Sequence, residues 1–72
     1  MKNYWTIDGD NNIFRTLRDA KHHIWIAYTP NECKKYLNGC MICRHIGGEI
    51  VSSVTIRVNE EGKVTYSRVK KL

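Results

Sequence analysis

Between Ile13 and Asn38 apolar residues recur at helical spacing, whereas from Cys40 onward they recur at every second position. A period near 3.6 puts apolar side chains on one face of a helix, and a period of two puts them on one face of a strand. The change of period therefore divides the chain into a helical half and a sheet half. A short strand precedes both, because Tyr4 to Asp8 alternates aromatic and β-branched residues. Asp8, Gly9, Asp10, Asn11 and Asn12 form a turn cluster, with Asn12 placed to cap the next helix.

The first helix is expected over Ile13–Tyr28, with Ile13, Leu17, Ala20, Ile24 and Ala27 on its apolar stripe. Ile26 points away from that stripe, so the end of this helix either stops early or is covered by another chain. Thr29-Pro30-Asn31-Glu32 is a capping box with proline at the first helical position, which starts a second helix running to Asn38. Gly39 supplies the left-handed residue that ends it.

Three strands complete the chain, at Cys40–Ile46, Glu49–Val58 and Lys63–Lys70. Gly47-Gly48 forms a two-residue hairpin turn, and Asn59-Glu60-Glu61-Gly62 a type I turn with Gly62 in a bulge. Turn type fixes register, and register fixes the face each side chain uses. With Ile46 opposite Glu49 and Asn59 opposite Lys63, one face collects Met41, Cys43, Ile50, Val54, Ile56, Val58, Val64 and Tyr66. That face is the expected core, joined by Trp5 and Ile7. The other face collects Ile42, Arg44, Ile46, Val51, Ser53, Thr55, Arg57, Thr65, Ser67, Val69 and Lys71. The expected fold is a two-layer α+β domain of order β-α-α-β-β-β, its antiparallel sheet covered on one face by helices.

Length changes what this fold can sustain. With 72 residues the chain is one domain, since two would each lack a core. The chain carries 12 Lys and Arg against 7 Asp and Glu, a net charge of +5. That excess favours anionic partners, although basic residues also serve solubility alone. The odd cysteine count and the polar residues after Met1 argue for free thiols in the cytoplasm. The longest apolar run is too short to span a bilayer, and no membrane partner is expected.

Candidate chemistry is sparse. Cys40-x-x-Cys43 has a zinc-knuckle spacing, but a regular strand sends its two thiols to opposite faces and no second pair closes the site. No metal or other cofactor is expected. Cys43 and His45 share a strand face at ~6–7 Å, too far for a nucleophile and its base. The His22-His23 pair lacks the i, i+4 spacing of a helical metal site, and no phosphate-binding or hydrolase motif is present. Neither an enzyme nor a small-molecule substrate is expected.

The outer sheet face remains as the candidate surface, with Arg44, Arg57, Lys71, Val51, Thr55 and Ile42 as its binding residues. Its cations suit nucleic acid, and its apolar members suit a homodimer or another protein partner. A non-enzymatic binding module, accessory to nucleic acid, is the expected function. The alternative is a protein-interaction or homodimerisation domain.

Overall fold

The computed structural model describes residues 2–72. Its elements occur in the expected order: β1 (Asn3–Ile7), α1 (Leu17–Ala27), α2 (Pro30–Glu32), β2 (Met41–Ile46), β3 (Glu49–Val58), β4 (Val64–Tyr66) and β5 (Lys70–Lys71). A wider, π-helical turn over Cys33–Leu37 continues α2. The fold is α+β, and the antiparallel sheet curls as a half-barrel in the order β1-β2-β3-β4, with β5 also beside β3. A core of Trp5, Ile7, Ala20, Ile24, Cys33, Leu37, Ile42, Val54 and Ile56 joins the helices to one sheet face.

The first helix starts later than its apolar stripe predicts. Asn12 is not its cap: its backbone and side-chain N–H groups both donate to Asp10 Oδ1, at 2.8 and 2.7 Å. Phe14 instead exchanges two backbone hydrogen bonds with Trp5, at 2.7 and 2.9 Å, so the segment before the helix lies along the edge of β1. Ile13 is left exposed. Thr16 caps α1 by accepting from the Asp19 N–H at 3.0 Å. The helix stops at Ala27 because Thr29 precedes a proline and must be extended, at φ −75° and ψ 163°.

The second helical start matches its sequence signal. Thr29 Oγ1 accepts from the Glu32 N–H at 3.2 Å, and Glu32 Oε1 accepts from the Thr29 N–H at 2.9 Å. Gly39 takes φ +86° and ends the turn. Its N–H donates to the Ile56 carbonyl at 2.8 Å, which steers the chain directly into β2.

The glycine turn sets Ile46 opposite Glu49 and His45 opposite Ile50, as expected. The register then slips, because Arg44 lies opposite Ser52, leaving Val51 as an extra residue in β3. A bulge of this kind reverses every later pairing on that strand. Ile42 therefore lies opposite Val54 and is fully buried, whereas the expected core residue Met41 is 41% exposed. Ile50 is also outside the core, at 47% exposed. The reason is shape: the bulge brings Ile7, Ile42 and Val54 into one row of branched aliphatic side chains across three strands. Cys43 leaves the core face with Met41 and is buried among outer-face neighbours instead.

The second hairpin matches expectation, with Asn59 opposite Lys63, Val58 opposite Val64 and Ile56 opposite Tyr66. The last strand, however, breaks after Tyr66. Ser67 Oγ replaces a backbone acceptor by taking the Thr55 N–H at 2.8 Å, and pairing resumes with Lys70 opposite Ser53 and Lys71 opposite Ser52.

Candidate functional site

The bulge disperses the six residues of the expected outer-face site. Ile42 belongs to the core. Arg44 turns to the helix side, where its guanidinium lies 5.9 Å from the Trp5 ring centre and donates to Asn3 Oδ1 at 3.3 Å. Lys71, opposite Ser52, shares the side of Val54 and Ile56 at the sheet edge. Val51 sits in the bulge itself. Thr55 and Arg57 stay on the outer face, beside Ser53 and opposite Met41 and Thr65.

A different surface gathers cations and apolar side chains. The first helix packs on β1 and β2 and reaches β4 through Lys21, whose Nζ lies over the Tyr66 ring. The tip of the β3–β4 hairpin is meanwhile held against the start of α2. Gly62, at φ +82°, approaches so closely that an added Cβ would lie 2.6 Å from the Pro30 carbonyl oxygen. Helix and hairpin thus stand apart as the two walls of a groove of about 1050 Å³. Ile24, Cys33, Tyr28, Val64 and Tyr66 line its apolar surface. Arg18, Lys21, His22 and Trp25 come from one face of α1, and Lys63 from the hairpin. Asp19 is the one acid among the lining residues.

Two side chains on this groove decide its character. Trp25 is 81% exposed, a large apolar ring left in water. Lys21 Nζ lies 4.6 Å from the centre of the Tyr66 ring, so a cation covers one aromatic face. Burial, with a smaller contribution from Cys33, pushes the Tyr66 hydroxyl above its ordinary range. Tyr66 is therefore neutral at physiological pH and adds no negative charge to the groove.

Beyond the groove, Asp10 ties the first loop to α1. One carboxylate oxygen takes the two Asn12 bonds, and the other accepts from His23 Nε2 at 3.0 Å and the Tyr28 hydroxyl at 2.9 Å. Burial would raise this carboxyl, but the donated bonds from Asn12, Tyr28 and His23 outweigh it and hold the value below the ordinary one. A carboxylate engaged on both oxygens is an anchor, and its chemistry is spent on structure.

Two of the three thiols, Cys33 and Cys43, are buried. Burial raises Cys33, with Glu32 adding to it, and burial raises Cys43, with Asp8 adding to it. Both are therefore poorer nucleophiles than an exposed cysteine. His45 stacks on Tyr4 with ring centres 4.7 Å apart, and its Nε2 is hydrogen-bonded to Thr6 Oγ1 at 2.8 Å. Cys40 Sγ donates to the Tyr36 carbonyl at 3.1 Å. Among the described residues no three His, Cys, Asp or Glu side chains converge to hold a metal, and no helix is long and apolar enough to cross a membrane.

No protein-family model matches the chain, and no curated protein or solved structure is significantly similar to it.

The bulge that separates the expected outer-face residues leaves no glycine or proline signature at Val51, so the sequence did not reveal it. Ile26 was visible as a misfit of the apolar stripe. The placing of Trp25 and Lys63, some forty residues apart in sequence, on one groove was not.

Proposed function

We propose that the protein is a non-enzymatic binding module for nucleic acid and that the groove between α1 and β4 is its binding site. The observation that carries this reading is the convergence of Arg18, Lys21 and Lys63 around an apolar surface edged by Trp25. The net charge of +5 acts in the same direction by drawing a polyanion to the surface. The fully engaged Asp10 carboxylate and the buried thiols of Cys33 and Cys43 support a binding role over a catalytic one. Arg57 and Lys70, on the outer face, add to the long-range attraction without forming part of the groove.

Binding of labelled DNA and RNA pools over a range of salt concentrations tests the reading. Log affinity should fall against log salt with a slope of ~0.7–0.9 per phosphate contact. Lys63→Ala should flatten that slope by about one contact. A salt-independent affinity, or none at low salt, would overturn it.

A second reading rests on Ile26, which is 67% exposed on α1 and lies outside the groove lining. An exposed branched aliphatic beside Trp25 suits a homodimer or another protein partner. Light scattering distinguishes this reading, because Ile26→Asp would then lower the measured mass while salt left it unchanged.

A further inference from the structure

We infer that the groove takes a single strand, with an unpaired base laid on the Trp25 ring and the adjoining phosphates held by Arg18, Lys21 and Lys63. The inference rests on the nucleic-acid reading of the same groove and specifies the form of its ligand. Three features of the groove carry it.

The first is concavity. A duplex presents a convex ridge of phosphates and keeps its base faces stacked inside, so it would meet the cations on the rim and leave the apolar surface in water. A single strand can turn its bases into a groove and bury them there. The second is the state of the aromatic rings. Trp5 is buried in the core, Lys21 covers one face of Tyr66, and the Tyr28 hydroxyl is committed to Asp10. Among the aromatic rings that line the groove, Trp25 is the one most open to water, and stacking on it requires no rearrangement of the fold. The third is spacing. Arg18, Lys21 and Trp25 lie on one face of α1, with Arg18 and Trp25 separated by about 10 Å along the axis at ~1.5 Å per residue. Lys63 faces them from the hairpin. A base on Trp25 therefore has cations on both walls for the phosphates beside it. An acidic peptide could pair with the same cations, but it would not need an open indole face.

The two tryptophans allow a direct test. Trp25 is exposed and Trp5 is not, so a quencher stacked in the groove acts on one of them. A short oligothymidylate, a duplex of equal length and an acidic peptide are each titrated into the full chain while tryptophan emission and binding are monitored. The single strand should quench Trp25 and bind at least tenfold more tightly than the duplex. Trp25→Ala should melt like the parent, abolish the quench and weaken the oligothymidylate by about five- to a hundredfold. Trp25→Phe should keep part of the affinity. Equal, salt-sensitive binding of duplex and single strand with unchanged emission would overturn this inference while leaving the nucleic-acid reading standing. Failure of both nucleic acids at low salt would overturn the two together, as would preferential capture of the acidic peptide.

Discussion

Ile42 lies opposite Val54 in the sheet, one residue displaced from the pairing that the Gly47-Gly48 turn alone would give. That displacement decides which half of β2 faces the helices. Ile42→Ala should cost ~2–5 kcal/mol, because it empties part of a row shared with Ile7 and Val54. Met41→Ala, one position away, should cost under about 1 kcal/mol. Chemical denaturation of the two variants checks the register, since an unbulged sheet would reverse the order.

Gly62 is constrained twice, by its positive φ and by the Pro30 carbonyl. Gly62→Ala should cost more than the ~1 kcal/mol of left-handed backbone strain, because the hairpin tip must also move away from α2. Gly48→Ala is the control: it carries φ +86° but has open space around it, so it should show the strain alone. Melting temperatures of the two variants separate the effects. If Gly62 supports the far wall of the groove, its substitution should also weaken ligand binding.

The capping box between the helices should be worth ~0.5–2 kcal/mol on Thr29→Ala. Glu32→Gln should lose less, since an amide oxygen can still accept from the Thr29 N–H. Thermal melts of both variants test whether the two reciprocal bonds act together.

The Asp10–Tyr28 bond predicts opposite behaviour at the two ends of the pH scale. The Tyr28 hydroxyl is raised from 10.0 to about 12, chiefly by burial and then by its bond to Asp10. A raised folded value stabilises fully below the unfolded one, so this contribution should fade between pH 10 and about 12. Asp10 is lowered, so its contribution is present above the unfolded carboxylate value of 3.8 and is lost as pH falls through the folded one. Tyr28→Phe should remove the alkaline loss between those limits while leaving other titrations in place. Denaturant midpoints measured across pH 3–12 trace both limbs, and an unchanged alkaline limb in Tyr28→Phe would contradict the assignment.

The sequence by itself determined the elements whose cause is local. The Thr29 capping box, the positive-φ turns at Gly47-Gly48 and Gly62, the stop at Gly39 and the order of helices and strands depend on residues within a few positions of one another. Such signals act on the backbone before any distant contact forms. Tertiary structure decided what depends on partners far along the chain. The start of α1 moved to Thr16 because Asp10 claimed Asn12 and Trp5 paired with Phe14. The core face of β2 was set by Ile7 and Val54, whose fit to Ile42 favours the bulge at Val51. The groove exists because α1 rests on β1 and β2 while Gly62 holds the opposite hairpin to Pro30. A period-two pattern fixes which residues share a face only until one residue is inserted. Close packing between strands determines where that insertion falls.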